Sequence, residues 1–281
     1  MRRERVADGV YAFISDMYAQ VNCGVILTEK GAVVIDTLPF PQETRQVLRF
    51  IHEHLGPDSV RYVINTQSHA DHIHGTYLFG GATVIAHENC RVELETWGVE
   101  SLEEAKREVP ELGEVELRLP DLTFTDSLRL DIGGRRIRLL HVPGHTSGSI
   151  AVFVEDAKVL FAGDTVMPVP YIRWGNWREY RESLSRMRLL KADVVVQGHG
   201  EVLLRGEMRE SIDSSIEYLD YINAMVTDFV NQGATEEEVE QVDIESCGKS
   251  RIPLHGLVIQ LHRDNLSYLY RTLREQKVAF P

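Results

Sequence analysis

Histidine and aspartate gather in four short segments of this 281-residue chain. His69, Asp71, His72 and His74 fall within six residues, in QSHADHIH at 67–74. His145 lies in HVPGHTSGS, Asp164 in FAGDT and His199 in QGHG. These segments sit at the ends of apolar runs that read as strands, where loops present functional groups on a rigid frame. Imidazole and carboxylate are ligands for zinc and for related divalent metals such as iron or manganese. Alone, His145 or His199 would more often be a satisfied or surface histidine, and Asp164 a turn former. Four loops that each offer His or Asp beside Gly point instead to a metal centre.

In order and spacing these segments resemble the metallo-β-lactamase superfamily, over roughly residues 8–205. The resemblance rests on QSHADH at 67–72, PGHTSGS at 143–149, AGDT at 162–165 and QGHG at 197–200. It implies an α/β fold, a four-layer αββα sandwich, with two adjacent metal sites. The first would use residue 67, His69 and His145. The second would use Asp71, His72 and His199, and Asp164 would bridge the two. The family's HxHxDH motif has His where this chain has Gln67. Glutamine offers only a neutral amide oxygen, a harder and weaker partner for zinc than imidazole nitrogen. One or two Zn²⁺ ions are therefore expected, with the Asp71, His72 and His199 site the tighter.

Such ligands suggest metal-dependent hydrolysis. A divalent metal lowers the pKa of bound water toward about 7, and the hydroxide so formed attacks an electrophilic carbonyl. The metal also stabilises the developing oxyanion. Asp71 is the candidate catalytic carboxylate, orienting the nucleophile or carrying its proton. Expected substrates are small molecules with an acyl bond: ester, lactone, thioester or amide. The alternatives are β-lactam ring hydrolysis, or a non-catalytic metal-binding or scaffold protein with a degenerate first site. Candidate substrate contacts are His74 and the loop MPVPYIRWGNW at 167–177. Its aromatics Tyr171 and Trp174 can hold an apolar group and Arg173 a carboxylate. Met17 to Asn22 is a weaker candidate for the opposite wall. His141 reads as a core histidine, and His255 and His262 as solvent-exposed.

The elements that must position these groups alternate. Strands are expected at 10–15, 21–28, 32–36 and 60–65, with a helix between Pro41 and the Gly56–Pro57 stop. A further strand is expected at 83–86 and a helix from about Glu88. Residues 100–120 read as acidic and loop-like or weakly helical. Strands follow at 127–132, 136–142, 149–154, 158–162 and 193–197, with a helix over about 177–190. Two packed sheets with helices outside fit this rhythm. Residues 1–205 form that domain in our reading. Residues 206–281 form a helical extension packed on it. Its apolar stripe, Leu254, Leu257, Val258 and Leu261 onward, packs on the body, forms a homodimer face or closes a lid.

Lys plus Arg total 30 and Asp plus Glu 43, a formal charge of −13. Nucleic acid and anionic membranes are thus disfavoured partners. We find no apolar run of the roughly 20 residues a membrane span needs. The start, MRRERVADGVYAF, has no apolar core of a secretory signal, so a cytoplasmic location is expected. Cys23, Cys90 and Cys247 form no CxxC pair and read as buried reduced thiols.

Overall fold

The computed structural model describes residues 1–279. The helical extension drawn to residue 281 therefore ends two residues beyond what is described. The first half of the chain runs β1 (Arg2–Ala7), β2 (Val10–Ile14), β3 (Asn22–Thr28), β4 (Gly31–Ile35), α1 (Pro41–Leu55), β5 (Val60–Ile64), α2 (Ala70–Ile73), β6 (Thr83–His87), α3 (Glu88–Glu93), α4 (Val99–Glu108) and β7 (Leu122–Phe124). The second half runs β8 (Ser127–Ile132), β9 (Arg135–His141), β10 (Ile150–Val154), β11 (Val159–Phe161), α5 (Trp177–Met187), β12 (Val194–Val196), β13 (Leu203–Leu204), α6 (Arg205–Gln232), α7 (Glu236–Glu240) and α8 (Val258–Ala279).

β1 to β7 form one seven-stranded sheet in sequence order, antiparallel as far as β4 and parallel beyond it. The second sheet is ordered β13-β12-β11-β10-β9-β8, and only β11 and β12 pair in parallel. Alternation along the strands explains the layers, because successive side chains point to opposite faces. In β10, Ile150, Val152 and Val154 join Ile26, Ile35, Ile64 and Ile85 between the sheets. Ala151 and Phe153 point the other way, into a core with Tyr180, Leu184 and Met187 of α5. On the far side of the first sheet, Val25, Val34 and Val63 pack on Val47, Phe50 and Ile51 of α1. The result is helix, sheet, sheet, helix, the expected αββα sandwich.

The apolar stripe of the C-terminal helices is spent largely on the body. Val258, Leu266, Leu269 and Tyr270 of α8 share the outer core of the second sheet with Ile212, Leu219 and Ile222 of α6. His262 corrects the expectation of solvent exposure. It is buried, and its Nδ1 lies 2.9 Å from the Tyr218 hydroxyl. His255 is exposed. His141 is half-buried and stacks on His87 at 3.8 Å. Residues 99–108 form a definite helix where a loop or weak helix was expected. Its few apolar residues, Leu102 and Ala105, are completed by Leu112 and Val115 arriving from the next segment. The three cysteines are buried and unbridged.

Candidate metal centre

Both sheets end their strands on one rim, and the four motif segments meet there. β5 delivers the loop with Gln67, His69, Asp71 and His72. β9 and β10 hold His145 between them. β11 leads into Asp164, and β12 leads into His199. Two glycines let these loops approach one another. A Cβ on Gly198 would lie 1.8 Å from Asp164 Oδ1, and one on Gly144 would lie 2.1 Å from the Tyr180 backbone.

The donor atoms fall into two sets. One ligand atom from each of His69, His145 and Asp164 lies within 4.8 Å of the others, and so it is for Asp71, His72 and His199. Asp164 touches both sets. Its Oδ2 is 3.2 Å from His145 Nε2, and its Oδ1 is 3.2 Å from His72 Nε2 and 3.5 Å from His199 Nε2. His145 Nε2 and His69 Nδ1 are 3.0 Å apart, and His199 Nε2 is 3.2 Å from Asp71 Oδ2. Ligand atoms about 2.0–2.1 Å from a tetrahedral ion are about 3.4 Å apart, so this spacing suits a shared cation.

Three rings are turned by bonds on their outer side. His72 Nδ1 meets Asp36 Oδ2 at 2.9 Å, and Asp36 also accepts the Thr66 N–H and hydroxyl at 2.6 Å each. His145 Nδ1 donates to the Tyr171 carbonyl at 2.8 Å. His199 Nδ1 donates to the Ala19 carbonyl at 2.9 Å. A carbonyl only accepts, so Nδ1 keeps its proton and Nε2 is the nitrogen that faces inward. Outer partners of this kind set the tautomer of metal-binding histidines. Ala19 and Gln20 have φ of 44° and 50°, a left-handed pair costing about 1–3 kcal/mol each. That strain sits on the residue that orients His199.

The polar atoms at the centre lack ordinary partners. His72 Nε2 and Asp164 Oδ1 are buried without a hydrogen bond, despite lying 3.2 Å apart. Both amide atoms of Gln67 are also buried and unbonded. Unpaired buried polar atoms are costly, and a cation would satisfy several at once. Burial lowers the proton affinity of His72, but Asp164, Asp71 and Asp36 outweigh it and raise its pKa well above the usual value. By the same balance, with Asp164 and Asp71, His199 rises to about 10. Burial pushes the Asp164 carboxyl up, yet His72, His199 and His145 hold it well below the usual range. Asp71 is likewise lowered by His72 and His199 against its burial. His69 is pushed down to about 3 by desolvation and by His145, so it stays a neutral ligand. Converging carboxylates thus draw protons onto the inward Nε2 atoms of His72 and His199, and a divalent metal would take the place of those protons.

The centre forms the floor of a cleft of about 610 Å³. Tyr18, Ala19, Trp97, Met167, Tyr171 and Trp174 are among the residues that line it. Leu254, Leu257 and Leu261 of the C-terminal region line it as well. Tyr18, Trp174 and Leu257 are 47%, 63% and 39% exposed, so the mouth is apolar. Among the described lining residues there is no Lys or Arg.

Tyr171 and Trp174 therefore stand where the sequence suggested, and the Met17–Asn22 segment supplies Tyr18 and Ala19. Arg173 does not line the cleft. Its guanidinium is 3.6 Å from Asp264 and lies over the Trp174 ring at 4.9 Å. His74 does not line it either. It is buried, and burial lowers its pKa to about 4. Sequence reasoning missed Asp36 and Glu93, and it did not foresee the Ala19 carbonyl as the partner of His199. Asp36 ends an apolar run, GAVVID, the same strand-end signal that marked the other ligands. Glu93, which accepts the Ser68 and Ser147 hydroxyls at 2.6 and 2.7 Å, carried no such signal.

The chain is 25% identical over 261 residues to a linear primary-alkylsulfatase of Pseudomonas sp., covering 78% of this chain and 49% of that protein. It is 29% identical over 210 residues to a hydroxyacylglutathione hydrolase of Haemophilus influenzae, covering 68% and 91%. The structure of an inverting sec-alkylsulfatase from Pseudomonas sp. superposes with a TM-score of 0.73 at 16% identity, over 99% of this chain and 50% of that one. The chain spans about half the length of two of the curated relatives it matches, the primary-alkylsulfatase among them. Residues 18–199 match the profile of the metallo-beta-lactamase superfamily, so on fold and sequence together the chain belongs to that superfamily.

Proposed function

We propose that this chain is a metal-dependent hydrolase that cleaves an acyl bond in a small, uncharged, largely apolar molecule: an ester, lactone or thioester. The supporting observation is the cleft, which sets two metal-ligand sets beneath apolar walls with no Lys or Arg among its described lining. Membership in a superfamily that includes a hydroxyacylglutathione hydrolase supports hydrolysis. In our reading His69, His145 and Asp164, joined by Gln67, hold one ion. Asp71, His72 and His199, sharing Asp164, hold the other. Zinc suits these donors best, with iron and manganese as alternatives.

A divalent metal there supplies Lewis acidity toward a carbonyl oxygen and acidifies water. The chain's own residues do the rest. Asp71 stays ionised between His72 and His199, so its carboxylate would orient the attacking water. Trp174, Leu254 and Leu257 hold an apolar acyl group and keep water away from it. Each buried methylene contributes about 0.8 kcal/mol, so preference should climb with chain length until the cleft is full.

Sulfate-ester hydrolysis is the second reading, favoured by the two alkylsulfatase likenesses. Both readings use the same two metal-ligand sets, and no Lys or Arg among the described lining residues adds an anchor for a sulfate head beside Glu93, so the apolar walls favour the uncharged ester. The test is a panel of p-nitrophenyl esters from acetate to decanoate, dodecyl sulfate and nitrocefin, with and without a chelator. Chelator-sensitive ester turnover that rises with chain length supports the proposal. Turnover of dodecyl sulfate or nitrocefin alone would replace it. No turnover with zinc present would leave the non-catalytic reading.

A further inference from the structure

The C-terminal helices reach the metal centre through one buried amide. Asn265 of α8 has no exposed surface. Its Oδ1 accepts the Ile172 N–H at 2.9 Å, and its Nδ2 donates to the Pro170 carbonyl at 2.7 Å. These bonds bracket Tyr171, whose carbonyl accepts the His145 Nδ1–H at 2.8 Å. The Tyr218 hydroxyl, 3.2 Å away, takes the second Nδ2 hydrogen. A side-chain amide carries an acceptor and two donors on one rigid plane. That is the equipment needed to grip a backbone N–H and a backbone carbonyl two residues apart, and neither a carboxylate nor an ammonium has it. The loop needs such a grip. Pro168 and Pro170 lack N–H groups, and no strand or helix pairs the Tyr171 carbonyl.

We propose that Asn265 is a positioning residue for His145: by bracketing Tyr171 it fixes the carbonyl that turns the His145 ring, so that Nε2 faces Asp164 and His69. This rests on the reading above that His145 belongs to the first metal set. Asn22 is the precedent inside the molecule. Its Nδ2 donates to the carbonyls of Gln197 and Gly200 at 2.9 Å each, bracketing His199. Asn265 does the same one step further out, at a distance of 120 residues in the chain from the ring it orients.

The test uses the full chain with two readouts. The first is zinc affinity by chelator competition. Outer-partner losses typically cost 10–100-fold in metal affinity. Asn265→Ala should weaken one zinc by about tenfold or more and leave the other within about twofold. Asn265→Asp keeps the acceptor for Ile172 and removes the donor to Pro170, which guards against misfolding of the alanine variant. The second readout is the slowly exchanging Nδ1–H proton of His145 by NMR, assigned by its loss in His145→Gln. It should broaden or vanish in both Asn265 variants. Tyr268→Phe, which cuts another tether of the same loop at the Gly175 carbonyl, should change neither readout. Equal weakening of both zincs, weakening of neither, or a persistent His145 proton in both Asn265 variants would overturn the assignment. A wild-type chain that binds only one zinc overturns the first-site reading instead, and the His145 proton still decides the role of Asn265.

Discussion

The two ligand sets share Asp164 yet are braced from different parts of the molecule. His72 is turned by Asp36 at the end of β4, and His199 by the Ala19 carbonyl between β2 and β3. Asn22, the first residue of β3, grips both sides of His199. All of that bracing comes from the first sheet, so it forms when the sheets form. His145 is turned by Tyr171, in a proline-rich loop held by α8. Gln67 has an amide where the family motif has imidazole, and both atoms of that amide are buried and unbonded. In our proposal one set is built into the sandwich, and the other adds an amide donor and is held through an outer layer. The lesson is that two adjacent sites in one cleft can differ in robustness without differing in ligand count.

The contrast can be broken or sharpened by substitution. The largest effect is expected at Asp71. Asp71→Ala should lower kcat of ester hydrolysis by about 10²–10⁴-fold and release the second metal, read by steady-state kinetics and elemental analysis. Asp36→Ala should weaken the second metal by about 10–100-fold without touching the cleft, read by chelator competition. If it instead weakened the first metal, the division into two sets would be wrong. Gln67→His should tighten the first metal by about tenfold or more, since imidazole replaces an amide oxygen and the Tyr171 carbonyl still orients His145. An unchanged first affinity would mean that residue 67 does not face the ion.

The smallest effect concerns stability in the outer layer. Lys249 is buried, and among the described residues its ammonium has only the Ser215 hydroxyl, at 3.1 Å, as a partner. Burial lowers its pKa to about 8 from 10.5, with Glu217 opposing. The unfolded chain therefore holds more protons than the folded one between about pH 8 and 10.5, so stability rises with pH across that window. Below about 8 the penalty is fully present. Lys249→Met should raise stability at pH 7 by about 1–3 kcal/mol, and the gain should shrink by pH 10.5, followed by chemical denaturation at both values. Metal affinity should not change, because Lys249 does not contact the Asn265 bracket.

Much of this was legible along the chain. Apolar runs ending in turn formers marked nearly every strand of the two sheets, because period-two burial leaves a clear pattern. Short or polar strands escaped: β1 (RRERVA) is charged, and β7 and β13 are two or three residues long. His262 read as exposed because its helix is polar around it, whereas Tyr218 of α6 buries it. Arg173 read as a substrate contact because a loop cation beside tryptophans can bind a carboxylate. Asp264, 91 residues away, occupies it instead.

By itself the sequence determined the kind of chemistry, since His and Asp beside Gly at strand ends are local features that survive without contacts. It determined the layered αββα plan too, through alternation along the strands and the helical stripes. Only the tertiary structure decided which nitrogen of each ring faces inward, that the cleft is apolar and without a described cationic lining residue, and that the last helix holds the loop whose carbonyl meets His145. Ring orientation depends on an outer hydrogen-bond partner, and those partners lie 26, 36 and 180 residues from the histidines they turn. No local pattern encodes such a pairing; it exists only once the loops have met.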